Sequence, residues 1–358
     1  MRREERKNMR SKAAIHVEHG KPLAVDEIEI PHPRADQVHV KLHSSGVCHS
    51  QLHQMHNPQT PTPSLLGHEG TGTVVSVGSE VSHVKEGDLA IVTWVPKDPI
   101  QGRWTPEPSG ATYREEPLNG NTYTWGEDAL VWGGYVIPID DDNPKDISSI
   151  VGCAVLTGAG AVLNTARVRP GDSVAIYGIG GVGTSALIMA SILEAYPLIA
   201  VDIEDSKLEY AKEMGATHTV NAMETDPIEA IHEITGGGTD YAFDAIGLQI
   251  TSEQILPSVR GGGPGADNHG GMAVLIGMPA PQMTVDPGQF MYHQKQYRGS
   301  LGATYPKKDF DQFLRWHHEG KFPLDKLVTR RYTLDQINEA CNDLQNGEIL
   351  GRAIMVYD

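Results

Sequence analysis

Through the first part of the chain, short apolar runs rich in β-branched residues alternate with turn-forming residues, the pattern of half-buried strands. Residues 13–17, 23–30 and 38–42 are such runs, separated by Gly20-Lys21-Pro22 and Pro31-His32-Pro33; 72–78, within the similar stretch 65–84, and 87–92 continue the style. This predicts a β-rich first domain. From 97 to 121 prolines, glycines and charges follow without periodicity, which predicts a long surface loop, with Trp104 and Tyr113 as candidates either to pin it or to contact a partner. Strand character resumes at 134–138, followed by an acidic turn at 140–143, and 147–166 is apolar and alanine-rich, as expected of helices. Between 171 and 300 the pattern changes to strand and helix in turn: strands at 173–177, 198–202, 219–220, 240–244 and 273–277, helices at 184–193, 205–214, 227–235 and 252–259. That alternation predicts a doubly wound parallel sheet. Two helices at 308–319 and 334–346 and a strand at 353–357 are expected to pack back on the first domain, so that the chain crosses the cleft between domains twice. The organisation is therefore α/β in three stretches: 1–155, 156–300 and 301–358.

The junction of the first strand and helix of the second stretch carries chemistry. Gly178, Gly180 and Gly183, with Gly181 and Val182 between them, form a G-x-G-x-x-G turn after the run 173–177. There the first glycine allows the turn, the second admits a pyrophosphate, and the third lets helix and strand pack closely. The phosphates would sit at a helix N-terminus, where free amides favour an anion. In a chain with 39 glycines such a match arises readily by chance. The stronger sign is Asp202, 24 positions after Gly178 at the end of the second strand, where a carboxylate accepts from ribose hydroxyls and repels a 2′-phosphate. NAD is the expected dinucleotide, in preference to NADP. The connection 261–271, rich in glycine, has no assigned role.

Composition bounds the function. At 358 residues two domains are the default, and no apolar run approaches the length of a membrane helix. A net charge of -17 argues against nucleic acid as a partner. Three cysteines make a disulfide framework unexpected and favour a reducing, cytoplasmic compartment. Residues 1–12 are basic and read as a frayed arm.

Those cysteines also suggest a metal. Cys48, His68 and Cys153 supply the two thiolates and one imidazole that a catalytic zinc takes, leaving one position open. By spacing alone the alternative stays open, since a free cysteine is commonly a small buried hydrophobe. The order of Cys48-His49-Ser50, Gly67-His68-Glu69-Gly70, Gly152-Cys153 with Leu156-Thr157-Gly158, the glycine turn and Tyr332-Thr333-Leu334 resembles the zinc-dependent alcohol dehydrogenases of the medium-chain dehydrogenase/reductase family. The likeness spans about 11–358. It implies a GroES-like catalytic domain joined to a Rossmann domain, and oxidation of a primary or secondary alcohol to an aldehyde or ketone.

By the same resemblance Cys48, His68 and Cys153 hold the zinc with Glu69 close behind, Ser50 accepts the alcohol proton, and His53 passes it to solvent. His49 meets the cofactor pyrophosphate, Thr157 the nicotinamide, Lys207 the ribose beside Asp202, and Arg352 a phosphate. Two departures stand out. Many family members bind a second, structural zinc through four cysteines in the loop that here runs from 97 to 121 without any, so one zinc per chain is expected. Gln51 replaces the usual aspartate that orients the metal-binding histidine. Trp94, Gln51, Leu52, Trp132 and Met291 are candidates to line the substrate pocket, with ordinary core packing an equally good account of each. The family implies a homodimer or homotetramer joined through sheet edges, with 273–276 and 297–301 as candidate interface strands. Alternatives are a nicotinoprotein that keeps its NAD, a polyol or amino-alcohol dehydrogenase, whose relatives place glutamate where Cys153 stands, and a zinc-free enone or quinone reductase.

Overall fold

The computed structural model describes residues 8–100, 102 and 104–358, and they divide into two compact units. The first comprises residues up to Cys153 together with Tyr305–Arg315 and Leu324–Asp358; the second comprises Ala154–Thr304 and Trp316–Pro323.

The first unit is built from two sheets. In one, the strands run in the order Ser64–Leu65, Met9–His16, Ala24–Ile30, Thr112–Tyr113, Glu116–Pro117. In the other, the order is Val136–Pro138, Leu89–Val92, Gly70–Val77, Gln37–Val47, Arg352–Val356, Val328–Tyr332, with Asp128–Trp132 also paired to Gln37–Val47. Gln37–Val47 is the axis of this sheet, pairing antiparallel with Gly70–Val77, Asp128–Trp132 and Arg352–Val356. Its alternate residues Val38, Val40 and Leu42 enter a core shared with Trp125, Tyr123 and Ile15. The last strand of the chain is drawn in by the ladder Ala353↔Val47, Ile354↔Gly46, so residues from both ends of the sequence meet at the end of that axis.

The expected strands are present, with differences that have physical reasons. Residues 1–7 of the expected arm lie outside the described residues, but Met9–Lys12 is not frayed: it is strand, held by the ladder from Met9↔Ile30 to Lys12↔Glu27. The stretch 97–121, of which 101 and 103 are outside the described residues, contains a short hairpin, Thr112–Tyr113 with Glu116–Pro117. Tyr113 is buried and donates to Asp26 at 2.9 Å, while Trp104 stands edge-on to Trp132 at 4.7 Å between centroids. Of the expected strand 134–138, the first two residues form a 3-10 turn.

The second unit is a six-stranded, wholly parallel sheet in the order His218–Asn221, Leu198–Asp202, Val174–Tyr177, Tyr241–Asp244, Met272–Leu275, Gln296–Gly299. In chain order this is 3-2-1-4-5-6, which places a topological switch point beside the first strand, Val174–Tyr177. The four inner strands are short apolar runs, as a sheet covered on both faces requires, whereas the edge strands His218–Asn221 and Gln296–Gly299 are mostly polar. Met272–Leu275, expected as an interface edge, is an inner strand hydrogen-bonded on both sides; the edge on its side of the sheet is Gln296–Gly299, and His218–Asn221 is the other. Trp316–Pro323, within the stretch expected to return to the first domain, groups with this unit instead. No helix among the described residues is long and apolar enough to cross a membrane.

Candidate metal centre and nucleotide-binding turn

Three local devices bring the candidate ligands together in the first unit. Cys48 is the extended N-cap residue between Gln37–Val47 and the helix His49–His56. His68 follows Gly67, whose φ of 95° turns the chain and where a side chain would collide with Thr124 and Trp125. Cys153 ends the 3-10 helix Ile147–Gly152, with its N–H on Ile150 O, and Gly152 O is anchored by Thr93 Oγ1 at 2.7 Å. The ligand atoms of Cys48, His68, Glu69 and Cys153 all lie within 4.8 Å of one another. His68 Nε2 is 3.0 Å from Cys153 Sγ, and Ser50 Oγ donates to Cys48 Sγ at 3.0 Å.

The charges are arranged for a cation. Cys48 is held well below the ordinary thiol range, chiefly by its hydrogen bond with Cys153, with Arg352 and His68 assisting against burial. Cys153 is pushed well above that range by the same pairing and by burial. The two thiols are thus hydrogen-bonded to each other, and a cation bound between them would take them as thiolates. Behind them Glu69, fully buried, accepts from Arg352, itself 4% exposed. Burial raises the Glu69 carboxyl and Arg352 pulls it back, leaving it above its ordinary value. Burial opposes the Arg352 charge, but Cys48 and Glu69 outweigh it and hold the guanidinium charged. Gly46 makes room for the carboxylate, which a side chain there would overlap.

The residue set fits zinc. Two cysteine sulfurs and an imidazole nitrogen are the ligands that zinc prefers, and one orphan atom completes the test. Gln51 Nε2 lies against His68 Nδ1, leaving the buried Gln51 Oε1 with no partner. Turning the amide over lets Oε1 accept from Nδ1–H, which satisfies the oxygen and frees the lone pair of Nε2 for a metal. Trp94 stands edge-on to His68, 6.4 Å between centroids, with a buried indole N–H that has no partner. Trp132 does not belong here: it pairs with Gln37, at the opposite end of the strand that leads to Cys48.

Of the other expected site residues in this unit, His53 is exposed on the same helix as Ser50, and His49 is exposed at that helix's start. Arg352 commits one nitrogen to Glu69, while its buried Nε has no partner. The Glu69–Arg352 pair was missed from sequence. Glycines flanking the ligands, at 46, 67 and 152, were its only local sign.

In the second unit the glycines of the turn meet different steric constraints. Gly178 sits at φ 89°, where a side chain would overlap Ile246; a side chain on Gly183 would overlap Gly178 O. Gly180, the N-cap of helix Gly181–Ile192, faces open space: an added Cβ meets nothing within 4 Å. That vacancy in front of a helix N-terminus fits a pyrophosphate. Val182 lies in the helix's first turn, its carbonyl packed where a side chain on Gly158 would fall. Asp202 ends its strand with the carboxylate closing the turn, accepting from Ile179 N at 2.8 Å, Ile203 N at 2.7 Å and Glu204 N at 3.2 Å. Lys207 Nζ pairs with Glu204 at 2.8 Å, one turn into the next helix. Thr157 lies on helix Ala154–Gly160 with a buried hydroxyl that lacks a partner. Met291 is 71% exposed on the short helix Pro287–Met291.

Known proteins resemble this chain along nearly its whole length. Residues 34–141 match the alcohol dehydrogenase GroES-like domain and 181–319 the zinc-binding dehydrogenase family. The chain is 32% identical, over 374 aligned positions, to an NDMA-dependent alcohol dehydrogenase of Amycolatopsis methanolica, covering 97% of this chain and 99% of that one. It is 30% identical to a geraniol dehydrogenase of Castellaniella defragrans, with 97% and 98% covered. The crystal structure of benzyl alcohol dehydrogenase from Acinetobacter calcoaceticus superposes with a TM-score of 0.87 at 29% identity, covering 98% of this chain and 100% of that one.

Proposed function

Since this chain belongs to the zinc-dependent alcohol dehydrogenases of the medium-chain dehydrogenase/reductase family, we propose that it oxidises a primary or secondary alcohol reversibly, with one catalytic zinc and with NAD as hydride acceptor. The observation that carries this reading is the convergence of Cys48, His68 and Cys153, with the Ser50 hydroxyl 3.0 Å from Cys48 Sγ.

When bound, zinc supplies Lewis acidity towards the alcohol oxygen and nicotinamide supplies the hydride acceptor. Cys48, His68 and Cys153 hold the metal, and Gln51 fixes the His68 tautomer. Ser50 takes the alcohol proton, and His53, on the same helix and exposed, passes it to solvent. Glu69 and Arg352 balance the charge behind the thiolates. In the second unit Gly178, Gly180, Gly181, Val182 and Gly183 receive the pyrophosphate and Asp202 the ribose, with Lys207 beside it; Thr157 meets the nicotinamide. His49 and, through its unpaired Nε, Arg352 contribute to the phosphates.

The relatives named for geraniol and benzyl alcohol support an allylic or benzylic substrate, and the Trp94 ring beside His68 supplies an apolar wall suited to one. Three unbonded cysteines support a reducing, cytoplasmic setting. The free edge of Gln296–Gly299, followed by Leu301 at 85% exposure, supports assembly into a dimer or tetramer.

Cys48→Ser should abolish alcohol oxidation while NAD binding persists, and retained oxidation would overturn the zinc mechanism. Elemental analysis should find one tightly bound zinc per chain. A second reading, in which NAD stays bound and an external acceptor takes the electrons, is favoured by the NDMA-dependent relative. Nicotinamide absorbance that survives desalting would establish it; its loss, with turnover restored by added NAD, would exclude it.

A further inference from the structure

Apart from the metal centre, the first unit holds a group of imidazoles that the proposed reaction does not use. His16 ends the strand Met9–His16 and is 1% exposed, yet neither of its ring nitrogens has a hydrogen-bond partner. Opposite it in the antiparallel ladder stands Ser64, whose buried hydroxyl is unpartnered too. Facing residues of such a pair project to the same side of a sheet. The turn after the strand, closed by Lys21 N–H on Glu18 O and made possible by Gly20 at φ 71°, folds His19 back. Its ring lies 5.0 Å from that of His16, with 79° between planes, and its Nδ1 is buried without a partner.

Orphan polar atoms of this kind each cost about 1–3 kcal/mol unless something meets them, and here four of them crowd one corner. A third imidazole is close by. His56 ends the helix His49–His56, and its Nδ1–H donates to Leu52 O at 2.7 Å, which leaves the lone pair on Nε2. Burial first, then His19 and His56, hold His16 below its ordinary value, which favours the neutral form of its ring that binds a cation.

We propose that His16 and His19 form a second, weaker site for a divalent transition metal, closed by His56. An ion about 2 Å from each nitrogen, in tetrahedral disposition, sets two imidazole centroids roughly 5 Å apart, the separation found here. Imidazoles without thiolates suit nickel, copper and zinc. Among the described residues the only cluster with three or more ligand atoms already within 4.8 Å is the one at Cys48. The His16 site is therefore a pair of imidazoles to which His56 swings in, and it binds less tightly than the thiolate centre. An ion there would tie the far end of the helix that begins after Cys48 to the strand paired with Ser64–Leu65, shortly before His68. Its occupancy would stiffen both segments that carry ligands of the catalytic metal.

Tag-free, zinc-loaded protein dialysed against Ni²⁺, with both metals counted, tests this. Zinc should stay constant while one nickel per chain is gained and the Tm rises. His16→Leu and His19→Gln should each weaken nickel binding about tenfold or more, roughly 1.4 kcal/mol, and keep the zinc. Co²⁺ in place of nickel should give ligand-field bands without thiolate charge transfer for the added ion. The half-buried His19 keeps the test informative should the buried His16→Leu variant not fold. No nickel beyond displaced zinc, or unchanged affinity in His19→Gln, would overturn the proposal.

Discussion

Replacing Glu69 by glutamine keeps the shape of the side chain and removes its charge, leaving the Arg352 guanidinium buried without its counter-ion. Glu69 is fully buried and Arg352 is 4% exposed, so water cannot take the carboxylate's place. Two unit charges about 3 Å apart at an effective dielectric near 20 attract by roughly 5 kcal/mol. Removing one partner of such a pair typically costs about 3–5 kcal/mol. For a unit of this size that loss corresponds to a fall in Tm of roughly 6–20 °C. The surroundings offer little relief: Ser45 Oγ and Thr124 Oγ1 both donate to Glu69 O, at 2.9 and 3.2 Å, which fixes the backbone, and the carboxyl fills the space beside Gly46.

Calorimetry on zinc-loaded protein would measure the loss in Glu69→Gln, in Arg352→Met and in the double variant. The double variant should cost at least about 2 kcal/mol less than the sum of the singles, because the second change removes the charge stranded by the first. A loss below about 1 kcal/mol in Glu69→Gln, or simple additivity, would show that the contact is a neutral hydrogen bond and would refute the ion-pair account.

Three further outcomes are expected. Gly180→Ala should fold with unchanged Tm, since its φ of -88° suits alanine and the added methyl meets nothing, yet bind NAD about tenfold or more weakly, because the methyl occupies the space assigned to phosphate; equal affinity in a dialysis titration would remove the pyrophosphate from that turn. Gln51→Asp should retain zinc by elemental analysis and move the acid limb of the pH–rate profile to higher pH, since a charge behind His68 makes the metal less electrophilic; an unmoved profile would deny Gln51 its part. Asp128 is buried, which alone would raise its carboxyl, but His39 at 2.9 Å, Ser11 at 2.8 Å and Lys41 outweigh this and lower it. A lowered native value contributes stability that is complete above the unfolded value near 4 and is lost as pH falls below it. Asp128→Asn should therefore cost about 2 kcal/mol at neutral pH, and urea titrations should show the gap to the parent closing below pH of about 4; a gap independent of pH would be the contrary result.

Strands whose residues alternate, or that are apolar throughout, were legible because a core faces them: 13–17, 72–78 and 173–177 each reappear in an observed strand but for one end residue. Val328–Tyr332 was not, since only its end residues are buried and Thr329, Arg330 and Arg331 face water at a sheet edge. The helix His49–His56 was hidden for a related reason. Its residues are mostly polar, only Gln51 and Leu52 are buried, and so it carries no apolar stripe to announce it. The metal ligands are a different case. Cys48, His68 and Cys153 became persuasive by likeness to a family, whereas their spacing left a structural reading of each cysteine open. What could not be seen was the pairing of charges behind them, because Glu69 and Arg352 are separated by 283 residues. Only the ladder Ala353↔Val47 carries the arginine to the carboxylate, and that pairing depends on a final strand finding the one position beside Gln37–Val47 that its neighbours leave open. The buried ion pair is thus a product of topology, and for that reason the Glu69→Gln experiment probes the fold and the metal centre together.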